Sequence, residues 1–207
     1  MDSNWAAEHL QVIRTLMERS AVYRRALAPI MIYVGALGIA GGVIGRLLAL
    51  DSRPAFIGLW AAIAVLALVG AFLLIRRQTL KDAEPFWSPP TRRIAQALLP
   101  GVFAGAAAGL LGLLCPAWDF LAPSALPGFW MLLYGCALTA AGFFMHRGIK
   151  LLGWLFTLSG CGFMASRCYA SGFPLAASHL LMGGVFGGLH LAYGVYLYFT
   201  EQRRNET

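Results

Sequence analysis

The chain has 207 residues, 59% of them hydrophobic and only 12% charged, with a mean hydropathy of +0.68 and a formal charge of +7. A soluble domain carries about 25% charged residues, so the polar surface of a soluble fold is missing and the long apolar runs read first as membrane spans. The positive balance does not point to nucleic acid. The basic residues stand between the apolar runs, where anionic lipid headgroups meet them, and no zinc-finger spacing, aromatic RNA-binding pattern or basic recognition helix accompanies them.

Residues 1–25 carry Asp2, Glu8 and Glu18 and lack a continuous apolar core with a small-residue cleavage site, so a signal peptide is not expected. Trp5, His9, Val12, Ile13, Leu16 and Met17 recur at helical spacing, with Glu8, Gln11, Arg14, Glu18 and Arg19 around the rest of the circumference. That pattern predicts a cytoplasmic amphipathic helix lying on the membrane or against the bundle. Ser3 or Asn4 could cap its start.

The rest of the chain, residues 26–204, reads as an all-α, six-helix transmembrane domain. The spans fall at about 27–48, 55–75, 94–115, 128–145, 149–167 and 175–199. Each is long enough for a hydrocarbon core of about 30 Å at 1.5 Å rise per residue. The first two are joined by the short polar link LDSRP at 50–54. Residues 76–93 contain Pro85, Pro89 and Pro90 and read as a loop, too polar to cross hydrocarbon and too rich in proline for one regular helix. PAWDFLAPSALP at 116–127 and CYASGFP at 168–174 read as external loops, and HRGI at 146–149 as a tight turn. Pro29 and Pro100 fall near the expected helix starts, where proline is tolerated.

Thirteen of the 16 Lys and Arg residues fall on one side of this arrangement; the other side has Arg46, Arg53 and Arg167. The positive-inside rule therefore predicts both termini in the cytoplasm, as in a bacterial inner membrane. Trp60, Trp118 and Trp130 should mark one interface and Trp154 the other. A faint repeat accompanies the topology. Trp60–Arg77 and Trp130–Arg147 align without a gap, each opening on a tryptophan and closing on Arg76–Arg77 or His146–Arg147. Shared composition under a shared topology would give the same match.

Small residues form ladders. Gly38 and Gly42, and Gly41 and Gly45, have four-residue spacing in span 1; Gly101, Gly105 and Gly109 continue it in span 3. Missing side chains let helix backbones approach closely, so these are expected packing seams, within the chain or between copies of it. Span 6 contains HLLMGGVFGGLHLAYG. In a regular α-helix His179 and His190 lie nearly on one face, about 16 Å apart, with Gly183, Gly187 and Gly194 making a groove on that face.

A histidine inside hydrocarbon needs partners for a donor and an acceptor. Tyr134, Thr139, Thr157 and Ser159 are the nearest candidates by depth. His190, His179, His146 and Tyr193 are thus the candidate intramembrane polar or ligand residues, with His190 the foremost. Four functional readings follow. A b-type haem protein would use His190 and His146 if spans 4 and 6 were neighbours. A small-solute transporter or channel would use span 6, although no span interior holds Asp or Glu. An enzyme is disfavoured, because no HExxH, GxSxG, paired carboxylate or nucleotide loop occurs. A non-enzymatic protein of helix packing, assembly or regulation accounts for the glycine ladders and the scarce embedded charge. Its partners would be the bilayer, other membrane helices or further copies. No metal site or cofactor is expected. Cys136 and Cys161 read as small apolar fillers, whereas Cys115 and Cys168 could pair only if spans 3 and 5 adjoin.

Overall fold

The computed structural model describes residues 26–81, 86–115, 117, 122, 124–169 and 174–205, without the side chains of 168, 169 and 201–205. The expected amphipathic helix at 1–25, Trp118 and the Cys168 thiol lie outside the described residues. The chain is all-helical and spans the membrane several times: α1 (Ala26–Leu47), α2 (Arg53–Lys81), α3 (Pro89–Leu114), α4 (Leu126–Ala141), α5 (Arg147–Tyr169), and a last rod built from α6 (Leu175–Met182), a π turn (Gly183–Gly187) and α7 (Gly188–Asn205). Helices satisfy their own backbone groups, which hydrocarbon demands. Five of the rods are long and apolar enough to cross a bilayer, and α4 is a shorter apolar helix of 16 residues.

Two boundaries differ from expectation. The segment 76–93 is not one loop: α2 runs on to Lys81 and α3 begins at Pro89. Polar residues end the apolar run but not the helix, which continues to Lys81. Pro89 and Pro90 take the first two helical positions, where a missing N–H costs no intrahelical bond. Because α3 starts early, Pro100 stands inside it rather than near its start. At the other boundary α4 ends at Ala141, and Gly142–His146 make the turn into α5.

Glycines set the packing. α1 and the last rod run antiparallel: a Cβ on Gly38 would stand 2.8 Å from the Gly187 Cα, and one on Gly42 would stand 2.8 Å from the Gly183 Cα. Gly35 meets the Leu191 backbone, and Gly45 meets the His179 ring. α4 and α5 form a second antiparallel seam. There Gly135 lies against Thr157 and the Gly153 carbonyl, Gly153 against Thr139, and Gly160 against Leu132 and the Gly128 carbonyl. In α3, Gly101 admits Ala137, and Gly105 and Gly109 make room for Trp130. The Trp130 indole N–H donates to the Gly105 carbonyl at 2.9 Å.

α4 touches α3, α5 and α6 and buries Leu126, Pro127, Gly128, Met131, Gly135, Ala137, Leu138 and Ala141. At about 24 Å it is shorter than a hydrocarbon core of about 30 Å; its neighbours, rather than lipid, cover most of it. α2 is its opposite, presenting Val65, Leu66, Leu68, Val69, Phe72 and Leu73 outward. Two arginines tie helix ends to neighbouring carbonyls: Arg53 Nη1 donates to Gly112 O at 2.8 Å, and Arg167 Nη1 to Ser124 O at 2.9 Å. α1 closes on Ala49, whose φ of 47° is left-handed, with Leu50 N–H returning to Gly45 O at 3.0 Å.

Candidate functional site

The two histidines of the last rod anchor two separate buried clusters. Both are 0% exposed. His179 stands in the first turns of α6 among α1, α2 and the link between them. Trp60 Nε1–H lies 3.3 Å from His179 Nδ1, and His179 Nε2 lies 3.1 Å from the Leu50 carbonyl. An indole nitrogen only donates and a carbonyl only accepts, so the partners select the tautomer with the proton on Nε2. Phe56 packs against the ring at 4.8 Å between centroids and stacks in parallel on Trp130 at 6.1 Å. A side chain at position 45 would strike the imidazole. Gly45 is therefore a clearance for His179 as well as a packing position.

His190 is held by the opposite tautomer. Its Nδ1–H donates to the Phe186 carbonyl one turn back at 2.7 Å, and Tyr134 O–H donates to its Nε2 at 2.7 Å. Of the four candidate partners named from sequence, Tyr134 makes this contact. Thr139 and Thr157 instead return their hydroxyls to the Gly135 and Gly153 carbonyls of their own helices. Phe156 and Phe186 close the ring, their centroids 5.1 and 6.1 Å from the imidazole. Each imidazole thus has both nitrogens satisfied by uncharged groups of the same chain. That is the low-cost way to hold histidine in hydrocarbon.

The two histidines do not share one face. Gly183, Gly187 and Gly194 all meet α1, whereas His190 meets α4 and α5 through Tyr134 and Phe156. A π turn at Gly183–Gly187 interrupts the rod between His179 and His190. Five residues wound with i→i+5 bonds rotate by roughly a quarter turn less than five in an α-helix. His190 and Gly194 therefore turn together relative to His179 and Gly183, and within α7 His190 stands about 60° round the helix from Gly187, at the edge of the glycine row. A regular 3.6-residue wheel cannot show that displacement.

His146 is placed elsewhere. It is exposed, beyond the end of α4, and accepts the Gly148 N–H on Nδ1 at 3.4 Å. α4 and the last rod are neighbours, but the residue of α4 level with His190 is Tyr134, about two turns before the helix ends at Ala141. The structure therefore does not bring His146 and His190 together. Tyr193 stacks on Tyr196 at 6.3 Å, and its hydroxyl lies where a side chain at Gly148 would be. The hydroxyls of Tyr193 and Ser178 are buried with no hydrogen-bond partner among the described residues.

The residues that sequence reasoning left out of the site are Phe56, Phe156 and Phe186. The four-residue step from Phe56 to Trp60 was the available sign that both rings share a helix face. Among the described residues no group of three His, Cys, Asp or Glu side chains could hold a metal ion. Cys115, Cys136 and Cys161 are free thiols. Cys136 and Cys161 are exposed on the outside of the bundle rather than filling its interior. No protein-family model, curated protein or solved structure matches the chain, so the reading of its function rests on this geometry.

Proposed function

We propose that this is a non-enzymatic six-span protein of a bacterial inner membrane, with both termini in the cytoplasm, whose helices bind other membrane helices or further copies of itself. One observation carries the reading. On the last rod Gly183 and Gly187 are consumed by α1, while the adjacent pair Gly184 and Gly188 has nothing within 4 Å of where a Cβ would stand. Four-residue glycine spacing on an uncovered helix face allows backbone-to-backbone approach in lipid. The internal histidines, meanwhile, already spend their hydrogen bonds within the chain. The six-span count and orientation are supported by the 13 basic residues on one side.

The test is purification in mild detergent. A stoichiometric membrane partner or a defined homo-oligomer is expected, and Gly184→Ile with Gly188→Ile should release it without unfolding the bundle. A monomer that carries solute flux after reconstitution would replace this reading with transport. Transport has one observation on its side, the unpartnered buried hydroxyls of Ser178 and Tyr193. A haem reading would require His190 to exchange the Tyr134 hydroxyl for iron.

A further inference from the structure

The basic residues between α2 and α3 form a corner rather than a scattered margin. Arg76, Arg77 and Lys81 of α2 and Arg92 and Arg93 of α3 are all exposed. The two acids of residues 54–115, Asp82 and Glu84, fall in the link between these helices, so this stretch carries five cations against two anions. The corner is held by short bonds. Phe86 packs edge-on against Phe72 at 5.1 Å, which lies one turn before Arg76 on the same helix. Thr91 Oγ1–H donates to Phe86 O at 3.0 Å, and the Ser88 and Thr91 hydroxyls stand 2.8 Å apart. The fold-back carries Trp87, which stacks on Phe86 yet remains 61% exposed.

Roughly one to three helical turns inward from the charges the surface is apolar: Leu73, Leu99 and Phe103 are 54%, 68% and 73% exposed. A cluster of cations at the end of a span, an indole at the same level and an uncovered aliphatic wall beneath match the three zones of one molecule. These are a phosphate, an ester region and an acyl chain. A free phosphate uses only the first zone, and an acidic soluble partner would leave Trp87 and Leu99 against nothing.

We propose that the α2–α3 corner binds an anionic phospholipid, its phosphate held by Arg76, Arg77, Arg92 and Arg93, its interfacial region against Trp87, and its acyl chains along the exposed faces of α2 and α3. The site takes either leaflet's anionic lipid and does not depend on the orientation of the chain or on the proposed assembly role. Each arginine contributes attraction worth about a fivefold change in affinity.

The experiment uses the full chain in mild detergent, titrated with brominated phosphatidylglycerol or brominated phosphatidylcholine while tryptophan emission is read. Wild type should be quenched at lower phosphatidylglycerol than phosphatidylcholine, and Trp87→Phe should lose most of that selective quenching. R76Q/R77Q and R92Q/R93Q, made separately, should each weaken phosphatidylglycerol on the order of tenfold or more. R76K/R92K, which keeps the charge, should retain it, and Arg147→Gln at another exposed turn should change nothing. The proposal is overturned by equal quenching from the two lipids, by selectivity that survives both arginine pairs, or by loss of selectivity in Arg147→Gln equal to theirs. It is overturned as well if glycerol phosphate, which has no acyl chain, competes as well as the intact lipid. Should a Gln pair fail to fold, the Trp87→Phe and R76K/R92K results still decide.

Discussion

The indole N–H of Trp60 meets Nδ1 of His179 at 3.3 Å across 119 residues of chain. It closes α2 on the last rod and, through His179 Nε2 and the Leu50 carbonyl, fixes the α1–α2 link as well. Trp60→Phe leaves Nδ1 as a buried acceptor without a donor, and His179→Phe leaves the indole N–H and the Leu50 carbonyl unpaired. A double-mutant cycle read by thermal unfolding in detergent should give a coupling of about 0.6 kcal/mol and at most about 1.7 kcal/mol. Nitrogen NMR should find the His179 proton on Nε2. Additive mutants, or a proton on Nδ1, would remove the bond from the account.

His190 gives a second expectation. Tyr134→Phe removes the donor to Nε2 and should lower stability by about 1 kcal/mol; His190→Leu should cost a comparable amount, because it orphans the Tyr134 hydroxyl. Since the Nε2 lone pair is occupied and the ring is 0% exposed, protein purified from haem-replete cells should show no Soret band. A band abolished by His190→Leu would make the histidine a haem ligand and this hydrogen bond a feature of the haem-free state.

The glycines divide into two classes that substitution should separate. Gly38→Val and Gly135→Val drive side chains into neighbouring backbone and should destabilise by about 1–3 kcal/mol each, or prevent accumulation. Gly58 has nothing within 4 Å and lies inside α2. Gly58→Ala should therefore stabilise by about 0.5–1 kcal/mol through helix propensity. Similar effects at all three positions would mean that helix approach does not set the packing.

Ala49 carries the left-handed conformation that ends α1, a position that favours glycine. Relief of the Cβ clash is worth roughly 1–2 kcal/mol, part of which glycine returns as unfolded-state entropy. Ala49→Gly should raise the melting temperature, and Ala49→Val should lower it. The opposite order would mean that the turn relaxes out of this conformation.

The membrane character and most rods were legible from the apolar runs, because hydrocarbon leaves the backbone few alternatives. The ends of α2 and α3 were not, since polarity marks where lipid stops and helix 76–81 continues past that point. The ladders of α1 and span 6 were visible one at a time, but their pairing depends on which rods are neighbours, and spacing alone carries no such information. The α4–α5 seam was missed although Gly128, Gly135 and Gly142, and Gly153 and Gly160, recur every seven residues. A two-turn step returns to the same face as surely as a four-residue one. The separation of His179 from His190 was not legible, because a π turn has no clear signature in side-chain periodicity.

The seam between α1 and the last rod joins the beginning of the bundle to its end. The Leu50 carbonyl waits for a histidine 129 residues downstream. At translation rates of 5–20 residues per second the interval is on the order of ten seconds. Throughout it the Gly35–Gly45 face of α1 lies bare in the bilayer, next to whatever other helices are there. Nascent chains would therefore be at their most sticky before the last rod is made. A chain truncated before Leu175 would display that unfilled glycine face permanently.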